Sequence, residues 1–262
     1  MINLKMPGKN VLVCGSSAGI GKATAHVFAQ MEANVILMAR NQQKLQTVLA
    51  SLTRVGNQKH HAIVADFFKP QEVEARIKAY LNDNPIHVLI NNTGGPDTGP
   101  LLQKSSEDLL KFLNQHLICA HLLAQAIVPA MKTTGYGRII NIISNSAKQP
   151  LPNMGLSNTI RAAVANWAKT LSTELGTAGI TVNNILPGTT DTKELDTIIN
   201  DKANKQGKTR ADIVQQMHAL CPLRRFADPI EIAWAIGFIA SPKATYINGI
   251  NLVIDGGKTL SL

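Results

Sequence analysis

The feature that most constrains this 262-residue chain is a repeated alternation of short apolar runs with longer amphipathic ones. NVLVCG (10–15), NVILMAR (34–40), HAIVAD (61–66), HVLINN (87–92), GRIINIIS (137–144), ITVNNILPG (180–188) and INLVIDGG (250–257) are rich in Val and Ile, and most end at Gly, Asn or Asp. Such nearly unbroken apolar runs suit strands buried on both faces of a parallel sheet. The segments between them carry a helical period; in IRAAVANWAKTLSTEL, Ile160, Val164, Trp167 and Leu171 recur at helical spacing. Repeated strand–helix–strand units predict an α/β fold, a single Rossmann-type doubly wound parallel sheet of about seven strands with helices on both faces.

No internal repeat and no Pro/Gly/Ser linker divides residues 1–262, so one domain is expected. The rhythm breaks only over about 189–221, where polar residues and Gly207 follow NNILPG. An insertion beyond a strand's carboxyl end, where open α/β sheets bind ligands, is a candidate substrate lid. The cysteines, Cys14, Cys119 and Cys221, are widely separated and form no CxxC pair. That pattern argues for a reducing, cytoplasmic setting and against a disulfide framework or a metal site. The histidines show no metal-ligand spacing, the amino-terminal residues do not read as a signal peptide, and no uninterrupted apolar run is long enough to span a membrane. Lys and Arg exceed Asp and Glu by 26 to 17, a balance that suits an anionic ligand or an acidic carrier as well as a generally basic surface. The densest basic stretch, KANKQGKTR (202–210), lacks the interleaved aromatics of a single-strand binder, so neither nucleic acid nor membrane is an expected partner.

The first strand runs directly into GSSAGIGKA, which puts Gly15, Gly19 and Gly21 at a strand-to-helix turn. Glycine there permits a tight bend and close approach of a pyrophosphate, with the helix's first amides facing it. The second strand ends LMARN, with Arg40 and no acid nearby. An acid would favour the ribose hydroxyls of NAD, whereas a guanidinium can grip the 2′-phosphate of NADP, so NADP(H) is favoured over NAD(H).

At these residues the chain resembles the short-chain dehydrogenase/reductase family, and the resemblance covers essentially its whole length. The glycine spacing is the family's; VADF is similar to its adenine-side segment and NNTGG to its Asn-Asn-Ala-Gly motif, with Thr93 for the alanine. LPGTTDT resembles the segment beside the nicotinamide, and PLRRFADPIEIA and YINGINLVIDGG resemble the carboxyl-terminal signatures; Cys14 departs from a usual threonine. The resemblance implies cofactor contacts from Gly15, Ser17, Gly19, Ile20 and Gly21 of the turn, and from Arg40 and Asp66. It adds Asn92, Gly94, Pro187, Gly188 and Thr192, together with Arg161. It also implies a homotetramer or homodimer, packed through the two long helices and the last strand.

Family members usually work with Asn, Ser, Tyr and Lys. Carried over position by position, the serine is Ser144, the tyrosine position holds Ser157, the lysine position holds Arg161, and the asparagine position holds His116. No gap-free shift restores the motif, since the only tyrosines are Tyr80, Tyr136 and Tyr246. A serine hydroxyl is a far weaker acid than a phenol, and arginine stays protonated, so it can hold ribose hydroxyls or an oxyanion without relaying a proton. Two groups are candidates for the missing donor. His116 titrates near neutrality, against which stands a buried packing or helix-bending role. Lys148 lies four residues past Ser144, against which stands an ordinary exposed loop lysine. Ser157 fits a substrate contact and a helix cap equally. The resemblance is strongest to 3-oxoacyl-(acyl-carrier-protein) reductase-like members with an incomplete tetrad. It implies an NADP(H)-dependent oxidoreductase acting on a small carbonyl or an acyl thioester by an altered proton-donor arrangement. The alternative is a catalytically inactive dinucleotide-binding sensor or scaffold.

Overall fold

The computed structural model describes residues 3–82 and 84–261. All seven apolar runs form strands: β1 (Asn10–Cys14), β2 (Asn34–Ala39), β3 (His61–Val64), β4 (Val88–Asn91), β5 (Gly137–Ile142), β6 (Ile180–Pro187) and β7 (Asn251–Ile254). They make one sheet in the order β3-β2-β1-β4-β5-β6-β7, parallel throughout. Chain direction across the sheet reverses between β1 and β4, the switch point at which such sheets open a crevice at their carboxyl edge.

Alternate residues of each strand serve opposite faces. Val11, Val13, Val35, Leu37, Val88 and Ile90 pack with α1 (Gly19–Gln30), α2 (Gln42–Ser51) and α9 (Pro229–Ala240). Leu12, Ile36, Met38, Leu89, Ile139 and Val182 pack on the other side with α3 (Pro70–Leu81), α5 (Cys119–Thr134) and α6 (Gly155–Leu175). Both faces are covered, which is why the strands lack a polar alternation. The exception is a row of amides near the middle of the sheet. Asn91, Asn141, Asn184 and Asn251 are register partners on β4 to β7, and each Nδ2 donates to the next Oδ1 at 2.8 to 2.9 Å.

Two departures from the expected elements matter for the site. First, the helical run before β5 is not uniform. α4 (Ser106–Leu113), which opens with a Ser105–Asp108 capping box, passes through a π-helical turn (Asn114–Ile118) into α5. By length and composition this 29-residue rod, Ser106–Thr134, could cross a membrane, with a mean hydropathy of 1.3 over its best window. Its apolar residues Leu123, Ile127 and Met131 are instead spent on the sheet. Second, most of the polar stretch after β6 is helical rather than irregular. α7 (Lys193–Gln206) and α8 (Arg210–Ala219) share a small core of Leu195, Ile199 and Ile213, and α8 has its own Thr209–Asp212 capping box. The stretch reads as polar because only one narrow side of each helix is buried.

Candidate active site

The carboxyl ends of β1 and β4 are built to approach each other closely. Gly15 follows β1 with φ +58°, and a Cβ there would lie 2.6 Å from both the Nδ2 and the backbone oxygen of Asn92. A Cβ on Gly21, in the first turn of α1, would strike the carbonyl oxygen of Gly15. Only glycine fits either place. Asn92 Nδ2 donates to the carbonyls of Cys14 and Gly15, both at 3.3 Å, and so pins the β4 loop to the turn. Gly94 lies in open space beyond it. α1 starts at Gly19 with neither a side-chain cap nor an acid in its first turn, so its first amides are left for an anion.

The other cofactor candidates take varied places. Ser17 is half-buried in the turn, while its neighbour Ser16 is fully buried and accepts the Met38 amide at 3.0 Å, tying β1 to β2. Ile20 packs partly into the core, and Arg40 stands exposed at the end of β2. Asp66 Oδ1 accepts the Phe68 amide at 3.0 Å within its own turn. Pro187 ends β6, and Gly188 abuts Asp255. Thr192 caps α7, its hydroxyl accepting the Leu195 amide at 3.3 Å, and its methyl would stand 3.2 Å from a Cβ on Gly19. Glu194, on the first turn of α7, reaches back to accept the Gly95 amide at 3.1 Å. The α7 end therefore touches both the glycine turn and the β4 loop.

On the other side of β4, Ser144 follows β5 and opens a tight turn (Asn145–Ala147). Its Oγ accepts the Ser146 amide at 3.1 Å and donates to Asn145 Oδ1 at 3.4 Å. The turn carries Ser146 inward, where its Oγ lies 3.3 Å from that of Ser157. Ser157, 5% exposed, thus partners Ser146 and does not cap α6, whose N-cap is Met154. Lys148 is exposed at the end of the turn. Arg161 is one helical turn beyond Ser157 and 8% exposed; its Nη1 donates to the Ile142 carbonyl at 2.8 Å. Burial brings its pKa down to about 10, while the charge of Glu194 pulls the other way, so at neutral pH it remains a cation.

His116 sits in the π-helical turn, with Nδ1 2.6 Å from the hydroxyl of Thr93, the residue that replaces the usual alanine. Burial, reinforced by the Arg161 charge, pushes its pKa well below 6.5. The shift away from neutrality favours the uncharged imidazole and weighs against His116 as the proton donor. A small cavity of about 20 Å³ lies between His116 and Arg161, lined also by Asn91, Asn92, Thr93, Gln115 and Asn141. Gln115 Oε1, His116 Nε2 and Arg161 Nε, on residues lining it, are buried and have no hydrogen-bond partner among the described residues. An orphaned buried polar atom costs about 1–3 kcal/mol, so three of them around one small polar cavity mark a place for solvent. Sequence reasoning missed Ser146, Gln115 and Glu194. For Ser146 a signal existed, because a tight turn brings the second residue after Ser144 to the same side.

A family model described as enoyl-(acyl carrier protein) reductase matches residues 15–259. The chain belongs to the short-chain dehydrogenase/reductase family. It is 30% identical over 257 residues to the 3-oxoacyl-[acyl-carrier-protein] reductase FabG of Vibrio cholerae, covering 97% of this chain and 98% of that one. The oxidoreductase UcpA of Escherichia coli O157:H7 is 31% identical over 258 residues, with 98% and 96% covered. Among solved structures, the L-sorbose reductase of Gluconobacter frateurii, complexed with NADPH and L-sorbose, superposes with a TM-score of 0.93 at 29% identity over the whole of both chains. Family membership accounts for the glycine turn and the strand order. The Ser157–Arg161 pair stands beyond the glycine turn and strand order that membership explains.

Proposed function

We propose that this chain is an NADP(H)-dependent oxidoreductase that reduces a carbonyl or 3-oxoacyl group without a phenolic proton donor. The observation that carries the reading is the cradle at Gly15 and Gly21, which a single added carbon would fill, beside uncapped α1 amides and the exposed Arg40. Those residues fit a dinucleotide: amides for the pyrophosphate and a guanidinium for a 2′-phosphate. Bound there, the reduced cofactor would supply a hydride to the carbonyl carbon. Arg161 keeps its charge and would hold ribose hydroxyls or steady the developing oxyanion. The paired hydroxyls of Ser157 and Ser146 would orient the oxygen, and water would supply its proton. Forgoing a positioned acid costs about 10²–10⁴ in rate, which orientation alone, worth roughly 7–11 kcal/mol, leaves affordable.

NADPH resolved from NADH by titration tests the reading. NADPH should bind more tightly, and Arg40→Ala should weaken it by about tenfold to a hundredfold, the loss of a charge-assisted contact. Failure to bind either nucleotide would sink the proposal. Lys202, Lys205 and Lys208 are exposed on and just after α7, where they would suit an anionic acyl carrier or coenzyme A. Changing all of them to glutamate should impair carrier-bound substrates and spare small carbonyls. The segment bearing them is the proposed substrate lid, on one domain that assembles as a homotetramer or homodimer in the cytoplasm. Two observations favour a second reading, a dinucleotide sensor without turnover: the Ser157 hydroxyl lies against that of Ser146, and burial pushes the His116 pKa down.

A further inference from the structure

Asp255 follows β7 and enters the site described so far only as the neighbour of Gly188, yet hydrogen bonds converge on its carboxylate. Oδ1 accepts the amides of Gly257 and Lys258, each at 3.1 Å. Oδ2 accepts the Thr259 amide at 2.8 Å, the Thr259 hydroxyl at 2.6 Å and Asn145 Nδ2 at 3.2 Å. The last of these crosses from the carboxyl-terminal turn to the serine turn. Asn145 is 5% exposed and held at both ends of its side chain, since its Oδ1 receives the Ser144 hydroxyl. Its backbone carbonyl in turn accepts the amides of Lys148 and Gln149, both at 3.0 Å. A second strap runs parallel, the Leu260 amide donating to Gln149 Oε1 at 2.9 Å. Asp255 itself has little room to move: a Cβ on Gly188 would lie 2.7 Å from its Cα, and the Cys221 thiol donates to its carbonyl. Burial raises the carboxyl's pKa, but hydrogen bonds from Thr259, Asn145 and the Lys258 amide outweigh it and hold the group below its ordinary value.

We propose that Asp255 is a positioning residue: through Asn145 it fixes the serine turn, and so makes the carboxyl-terminal turn a working wall of the substrate site. Its effect on turnover rests on the reductase reading above; the mechanical coupling does not. An ionised carboxylate suits the task because all five of its partners are donors, whereas an amide would turn its own hydrogens toward some of them.

The test compares the full-length protein with its Asp255→Asn and Asn145→Ala variants by amide hydrogen exchange, NADPH titration and steady-state reduction of a 3-oxoacyl thioester. Exchange at residues 146–149 should rise about tenfold or more in both variants, as for a lost charge-assisted bond, while residues 15–22 keep their rates. NADPH affinity should hold within about twofold and kcat should fall about tenfold, because the substrate wall loosens and the glycine turn does not. Unchanged exchange at 146–149, or an equal rise at 15–22, overturns the coupling; unchanged kcat in an active enzyme overturns the positioning role. If the parent protein binds no nucleotide, the reductase reading falls, and exchange alone still decides whether Asp255 holds the turn.

Discussion

The glycine turn after β1 and the serine turn after β5 flank β4 at the same edge of the sheet, but they are held by different kinds of contact. At the glycine turn, bare backbone is the surface that is met: Gly15 and Gly21 lie so close to each other and to the backbone and side-chain amide of Asn92 that any added side chain would part them. At the serine turn, side chain meets side chain: Ser144 with Asn145, Ser146 with Ser157, Asn145 with Asp255. Backbone contacts of the first kind tolerate no substitution without strain. Side-chain contacts of the second kind can be exchanged one at a time, each at the modest net cost of one hydrogen bond. The proposed change of proton donor, at Ser157 and Arg161, falls where the second kind prevails.

The sharpest challenge to that contrast is to rebuild the usual pair. In Ser157→Tyr/Arg161→Lys, reduction of a carbonyl substrate should speed up by about 10²–10⁴, the worth of a positioned acid. No gain in a variant that folds and binds NADPH would show that the serine side has diverged beyond its two replaced residues. Next in size is Gly21→Ala. Overpacking against the Gly15 carbonyl should cost about 1–3 kcal/mol, seen as a lowered melting temperature and a tenfold to hundredfold loss of nucleotide affinity. A neutral result would remove the backbone contact from the comparison.

A smaller effect belongs to His116. Its folded-state pKa is depressed, so below about 6.5 the unfolded chain binds more protons, and the stability present at higher pH is lost as pH falls toward the folded value. The loss can reach about 1.4 kcal/mol per pH unit. His26, His60 and His87 are also held low by burial, so the melting temperature of the parent should fall between pH 7 and 5, and His116→Asn should flatten only part of that slope. A variant with the parental slope would contradict the buried, neutral histidine. The smallest effect is that of Ser146→Ala, which removes the 3.3 Å contact to Ser157 and should cost about 0.5–1.5 kcal/mol of stability by denaturant titration.

The strands and the glycine turn were legible in the sequence because their cause is local. A parallel strand announces itself by an unbroken apolar run, and a tight turn by glycine. Counting along α6 from Ser144 likewise brought Ser157 and Arg161 to one buried face. What could not be read was set by contacts between distant segments. The π-helical turn places Gln115 and His116 against Arg161, and the Thr93–His116 bond spans 23 residues. Asn145 meets Asp255 across 110 residues. The downward push on the His116 pKa has the same origin, since it comes from burial beside a cation and leaves no mark in the local sequence.

The asparagine row across β4 to β7 has an electrical sense. Every amide points the same way, so Asn91 carries the carbonyl end and Asn251 the amino end. The carbonyl end opens on the cavity shared with Arg161, and the amino end lies at the exposed margin of the sheet. Aligned dipoles of this kind reinforce one another, and Asn91, at their negative end, lines the same cavity as the buried Arg161. A slip of one residue in any of the four strands would send its amide to the opposite face and break the row. Strand register and the polarity of the row are thus settled by the same four side chains.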